Sequence, residues 1–346
     1  MNKTVFGKTS SGETVYLYEL SNSKGMKVVV SDFGANLVKI IVPDKNGEFK
    51  DVCLGYDNVS DYEENGSFFG AVIAPSANRI GNASFVIDGV KYNIAVNDGV
   101  NNLHSDFDLG SHKRVWKVSD EGSDFVTFSL TNSDGELGFP GNKEFILTYS
   151  LSENNELKLS YKATSDKNTV INPTNHAYFN LAGADSGMNI EEHILTLNAS
   201  NYTPVVEGAI PTGEIASVKG TVMDFTSPKA VGKEINEKFE QLILTKGYDH
   251  NFVIDGYDKS LKYIAKVEDP KSGRVMKVYT TLPGVQFYAG NCIADTTGKG
   301  GHAYTKRSGM CLETQFFPDT VNKPNFPSAV FGPGNDYVSE TVYAFE

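Results

Sequence analysis

The chain has 346 residues, 40% of them hydrophobic and 21% charged, a composition that supplies a sizeable core and argues against a mainly disordered or fibrous protein. Its 31 Lys and Arg against 43 Asp and Glu give a formal net charge of −12, which repels phosphate backbones and anionic lipid, so neither nucleic acid nor a membrane is expected as a partner. The three cysteines, Cys53, Cys292 and Cys311, lack the spacing of a disulfide framework or a zinc motif, and no apolar run reaches signal-peptide or membrane-span length; a reduced, cytoplasmic, soluble protein is expected.

In chain order, turn pairs punctuate short β-branched or alternating runs at Asn46-Gly47, Asp88-Gly89, Asp98-Gly99, Asp134-Gly135 and Ser272-Gly273, the pattern of hairpins. VSDYEENGSFF and VGKEINEKFEQLI (Val231 to Ile243) are the two stretches with helical periodicity. In FILTYSLSENNELKLSYKAT, Leu157, Leu159, Tyr161 and Ala163 alternate with Lys158, Ser160 and Lys162, which predicts a half-buried antiparallel hairpin. The Gly-rich DTTGKGG (Asp295 to Gly301) reads as a surface loop. An α/β barrel needs many more helices, so the expected fold is all-β: a large antiparallel β-sandwich with few short helices, residues 1–346 forming one domain.

Several chemistries lose their motif support. Gly298-Lys299 fails as a phosphate loop because Ile293 and Gly300 stand where Gly and Ser or Thr are required. No nucleophile elbow, zinc helix or dinucleotide fingerprint is present. LHSDFDLGSH gathers His104, Asp106, Asp108 and His112, potential mixed ligands for a divalent cation, although acidic loops of this kind are usually solvated; no metal is expected.

Three strands put polar groups on one face and apolar groups on the other. In SGMCLETQFFPD, Glu313 shares a face with Cys311, Gln315 and Phe317 between the apolar Leu312 and Phe316; partial desolvation there raises a carboxyl pKa towards the range of a general base, whereas spacing alone suits an ion-paired or solvent-facing Glu equally. In NPTNHAYFNLAG, His176, Tyr178 and Asn180 share a face, making His176 a candidate acid or a structural histidine. In LPGVQFYAGN, Gln286 and Tyr288 combine an amide with an aromatic ring, as hydroxyl-rich ligands require. Asn78-Arg79, His104 and Asp249-His250 are weaker candidates, each with a structural alternative: an ion pair, a cap or a turn.

With ANRIGNASFVIDGVKYNIAVNDGVNNLHS (Ala77 to Ser105), DGELGFPGN, NPTNHAYFNLAG, GYDHNF, LPGVQFYAGN and YTKRSGMCLETQFFPDTVNKPNFP (Tyr304 to Pro327) in this order, the chain resembles the aldose 1-epimerase (galactose mutarotase) family over nearly its whole length. The resemblance implies that family's β-sandwich, with an open cleft on a concave sheet face. It also implies Glu313 as general base, His176 as general acid, and Arg79, His104, Asp249 and Gln286, with Asn78 beside them, as holders of sugar hydroxyls. The reaction implied is the interconversion of α and β anomers of free hexoses such as galactose and glucose, without metal or organic cofactor, by a monomer or homodimer whose partner is a monosaccharide. Alternatives are a non-catalytic sugar-binding or sensing protein on the same fold and an epimerase of phosphorylated hexoses, for which Lys299, Lys306 and Arg307 are the nearest basic residues in sequence to the Glu313 strand.

Two departures stand out. Ala74, Pro75 and Ser76 replace a Gly-Arg-aromatic triplet common in the family, and Ser105-Asp106 follow Leu103-His104 where two glycines are common. Their expected consequence is an altered pocket wall, with the Ser105 side chain and the Asp106 charge close to His104.

Overall fold

A computed structural model describes residues 1–346. Strands dominate because β-branched and aromatic residues recur at alternate positions: in Lys143–Leu151 and Glu156–Ser165, buried and half-exposed residues alternate almost without a break. These two strands form the predicted hairpin and pair over their full length, from Lys143 opposite Ser165 to Leu151 opposite Leu157. Asp88 and Gly89, both at positive φ, make the two-residue turn joining Ser84–Ile87 to Val90–Asn93.

The hairpin sits in a nine-stranded antiparallel sheet that runs in the order Lys117–Glu121, Phe125–Asn132, Lys143–Leu151, Glu156–Ser165, Tyr337–Phe345, Val275–Thr280, Lys262–Glu268, Ile194–Leu197, Lys229–Ala230. The C-terminal strand Tyr337–Phe345 is thus central, pairing Glu156–Ser165 on one side and Val275–Thr280 on the other. A second sheet holds Ala216–Ser217, Asn201–Tyr202, Asp249–Val253, Gly284–Tyr288 and Cys311–Gln315. Its back face packs on the first: Thr314 Oγ1 lies 2.6 Å from Thr341 Oγ1, and the Tyr343 hydroxyl donates to the Leu312 carbonyl at 3.3 Å. The N-terminal five strands, Asn2 to Asp51, form a third sheet, tied to the hairpin by the Tyr149 hydroxyl donating to the Ala35 carbonyl at 2.7 Å.

The helices differ from expectation in one place. Val59–Glu64 is helical, capped by the Asn58 side chain. Val231 to Ile243 is not one helix: a 3-10 turn covers Val231–Lys233 and an α-helix starts only at Glu240, ending at Thr245. Gly232 explains the break. Its N–H donates to the Glu191 carbonyl at 2.8 Å, and a Cβ there would stand 2.7 Å from that of Glu191, so this backbone is drawn against a neighbouring segment instead of closing its own turns. The 295–301 segment is not wholly a surface loop either, since Lys299 is buried, its ammonium bonded to Asp51 and the Val38 carbonyl. No helix is long and apolar enough to cross a membrane.

Candidate active site

The site is built on the front face of the second sheet. Register places Asp249, Tyr288 and Cys311 in one rung and Asn251, Gln286 and Glu313 in the next, so side chains from three strands project together. Facing them are irregular segments held by backbone bonds. The His176 N–H donates to the Ala71 carbonyl at 2.8 Å and the Gly70 N–H to the His176 carbonyl at 3.1 Å. Gly70, at φ +69, is required: a Cβ would lie 2.1 Å from the Leu37 carbonyl oxygen. A short ladder, Asn102–Leu103 against Arg79–Ile80, aligns the two remaining segments. Beyond it the Asn78 N–H donates to His104 Nδ1 at 3.2 Å and the His104 N–H to the Asn78 carbonyl at 3.0 Å.

The enclosed cleft is about 180 Å³ and is lined by Phe68, Asn78, Arg79, His104, His176, Tyr178, Asp249, Tyr288, Cys292 and Glu313 among others. Glu313 Oε2 and His176 Nε2 stand 3.7 Å apart. The Glu313 oxygen is buried and has no hydrogen-bond partner in the protein. The His176 ring stacks on Tyr178 with centroids 5.1 Å apart and meets His104 edge-on at 5.2 Å, and its Nδ1 lies 3.5 Å from Cys311 Sγ. Arg79 is fixed by Nε donating to Asp98 at 2.7 Å, and Asp249 accepts from Gln286 Nε2 at 2.7 Å.

Burial acts in opposite directions on the two central groups, because it opposes charge on either. Desolvation, aided by the nearby Asp249 charge and opposed by Arg79, holds the Glu313 carboxyl well above the usual carboxylate range. Desolvation pushes His176 down to about 4. Burial therefore disfavours the charged form of each, so the carboxyl holds its proton to higher pH, and the imidazole gives one up at lower pH, than either would in water. Asp249 is also raised by burial, with Arg79 and the Gln286 bond acting against the rise.

Of the residues singled out from sequence, Asn78, Arg79, His104, His176, Asp249 and Glu313 are brought together. Gln286 stands one step back, buried and bonded to Asp249. Asn180 does not share the cleft with His176, because its amide donates to the Met188 and Ser308 carbonyls. The pocket-wall expectation is corrected: Ser105 is fully buried and bonded to Ser76, and Asp106 caps its own loop through the Asp108 and Leu109 N–H groups; neither lines the cleft. The cation set His104, Asp106, Asp108, His112 does not assemble, since His112 bonds to the Phe107 carbonyl. His104, His176 and Glu313 do have potential donor atoms within 4.8 Å of one another. The Asn78 N–H occupies Nδ1 of His104, however, so in the neutral ring the proton resides on Nε2, making that nitrogen a hydrogen-bond donor and not a free lone pair.

Phe68 was invisible in the sequence pattern. At φ +59, unusual for a bulky residue, it packs its ring against His104, His112 and His176 with centroids 4.9, 4.9 and 5.8 Å away. Its only sequence signal is the neighbouring Gly70. A larger concavity of about 760 Å³, lined by Asp57, Asp61, Glu64 and Asp295, holds no acid and base with opposed shifts, whereas the smaller cleft does.

Comparison with known proteins identifies the family and the fold. The family model described as aldose 1-epimerase matches residues 16–344. The chain is 41% identical to galactose mutarotase of Bos taurus, covering 100% of this chain and 98% of that one, and 37% identical to aldose 1-epimerase of Escherichia coli, covering 96% of each. The crystal structure of an aldose epimerase homologue from C. elegans superposes with a TM-score of 0.88 at 32% identity, over 95% of this chain and 98% of that one. The chain belongs to the aldose 1-epimerase family and is an isomerase that interconverts sugar anomers.

Proposed function

We propose that the cleft takes a free aldohexose, galactose or glucose, and that Glu313 and His176 act on it as base and acid. The observation that carries this reading is the pair itself: two buried groups 3.7 Å apart, shifted in opposite directions by burial, that open onto the same cleft. The names of the bovine and bacterial relatives support galactose and aldoses as the substrate class.

In the reactive form the pair shares one proton, which sits on His176 and leaves Glu313 ionised. Glu313 removes the proton from the anomeric hydroxyl while His176 protonates the ring oxygen, so the C1–O5 bond breaks and the free aldehyde forms. Rotation about C1–C2 presents the other carbonyl face. Ring closure returns one proton from Glu313 to O1 and one from O5 to His176, leaving the enzyme unchanged. Acid and base terms of this kind typically contribute ~10²–10⁴-fold each. Asn78, Arg79, His104 and Asp249 hold the hydroxyls, Gln286 contributes through Asp249, and the Tyr178 and Tyr288 rings offer apolar surface to the sugar's C–H groups.

A non-catalytic sugar binder has no use for a paired buried acid and base. A phosphorylated substrate is disfavoured because Lys299 is engaged with Asp51 and Arg307 with Glu191, and none of Lys299, Lys306 and Arg307 lines the cleft. One apolar core extending through all three sheets supports a single domain, and unpaired thiols at Cys53, Cys292 and Cys311 support a cytoplasmic setting. The test is anomerisation of a free hexose against its 6-phosphate, alongside sugar binding by Glu313→Gln. Turnover of the free sugar, with binding but no turnover by the variant, is expected; preference for the phosphate, or full activity of the variant, contradicts the reading.

A further inference from the structure

Two residues before Glu313, on the same strand face, Cys311 is fully buried with Sγ 3.5 Å from Nδ1 of His176. The other ring nitrogen, Nε2, is the one facing Glu313. A neutral imidazole carries a single N–H, and the partner of one nitrogen decides where it sits. If the hydrogen were on Nε2, that nitrogen could not take a proton from Glu313. If it is on Nδ1, Nε2 presents a bare lone pair to the carboxylic acid, and the shared proton can cross. We propose that Cys311 is a positioning residue whose sulfur accepts the Nδ1–H of His176, fixing the tautomer that receives the catalytic proton at Nε2.

The surroundings fit an accepting sulfur. Burial keeps that thiol from ionising, so the partner of His176 is neutral. This differs from a catalytic histidine backed by a carboxylate, where the negative charge stabilises the imidazolium. A neutral sulfur orients the ring without that stabilisation and leaves the protonated imidazole a strong acid, suited to a weakly basic ring oxygen. The other titratable groups facing His176 are Glu313, His104 and the phenols of Tyr178 and Tyr288, with His112 beyond Phe68. None contacts Nδ1 within hydrogen-bond distance.

This inference rests on His176 being the acid, and the experiment separates the two. Nitrogen-15 NMR of the imidazoles of the full-length enzyme, with His176 assigned by its loss in His176→Asn, reads the tautomer directly, whereas loss of turnover in that variant tests the acid role. The wild type is expected to show Nδ1 protonated and Nε2 bare near neutral pH. Cys311→Ala should mix the tautomers and lower kcat about fivefold, the worth of one ordinary hydrogen bond, with KM little changed and the acid limb of the kcat profile moved. Cys311→Ser, whose hydroxyl can still accept, should restore the tautomer. An Nε2–H tautomer in the wild type overturns the proposal even if no variant folds, and so does an unchanged tautomer and pH profile in Cys311→Ala.

Discussion

Ser105 Oγ accepts the backbone N–H of Ser76 and donates to the Ser76 carbonyl, both at 2.9 Å. The two segments that depart from the family pattern are therefore one structural feature: a buried hydroxyl stitching the His104 loop to the 74–76 segment. Ser111 repeats the device, accepting from the Ala74 N–H at 2.8 Å and donating to the Val72 carbonyl at 2.7 Å. Ser105 holds φ +66 and His104 φ +55, a conformation that glycine adopts more easily, so the stitch offsets backbone strain beside the cleft-lining His104.

Ser105→Gly relieves that strain but removes both bonds. The His104 loop should loosen, raising KM for the sugar severalfold with kcat nearly unchanged. Ser105→Ala keeps the strain and leaves a buried N–H unpartnered, so it should also destabilise the fold by about 1–3 kcal/mol. Steady-state kinetics and thermal melts of the two variants check this; identical KM values in all three proteins would remove Ser105 from the positioning of His104.

Glu313→Gln replaces a buried carboxyl by a neutral group of the same shape. Turnover should fall ~10²–10⁴-fold while the fold stays intact, because the amide is neutral and close in shape to the carboxyl it replaces. Calorimetric binding together with a melting curve separates loss of chemistry from loss of fold.

The pH profile of kcat/KM follows from the shared proton. On the acid side activity should fall as His176 and Glu313 both become protonated, near pH 4, the value to which burial lowers His176. On the alkaline side it should fall as the pair loses its one proton, well above the usual carboxylate range. A bell centred on an ordinary histidine value, with its acid limb at about 6.5, would count against the shared-proton pair.

Stability should fall on mild acidification. Five buried histidines, His104, His112, His176, His193 and His250, have lowered folded-state values, so below about pH 6.5 the unfolded chain binds protons there that the folded one does not. Asp32, Asp249 and Glu313 are raised and oppose this, since the folded state holds their protons longer. Because the five histidines outnumber the three carboxyls, stability should fall as pH drops below about 6.5, the unfolded histidine value. Denaturant titrations across that window check it, and a flat response would be inconsistent with neutral buried histidines.

Much of this was legible in sequence, and the exceptions are instructive. The face of Glu313 follows from one alternating strand, because side-chain period alone puts it beside Cys311 and Gln315, whereas its burial, which spacing left open, comes from the segments that fold over that face. Asn180 was misassigned because the regular strand there covers only Thr174–Asn175, and alternation fails once pairing becomes irregular. The split of Val231 to Ile243 depends on Glu191, roughly 40 residues away, which no local periodicity can register. Phe68 and the Cys311–His176 contact join segments distant in the chain, and their chemistry exists only after folding. The resemblance to the family supplied the proposed roles of Arg79, His104 and Asp249, which spacing alone left open; the bond from Gln286 to Asp249 joins strands that sequence spacing does not align.

The most direct test of the account is the rate at which freshly dissolved α-D-galactose and α-D-glucose reach anomeric equilibrium, followed by polarimetry with wild type and Glu313→Gln side by side. The account predicts strong acceleration of at least one sugar by the wild type, and a rate close to the uncatalysed one with the variant. Equal acceleration by both proteins, or none by either, would contradict the assignment of Glu313 and His176 as the base and acid of a free-hexose epimerase.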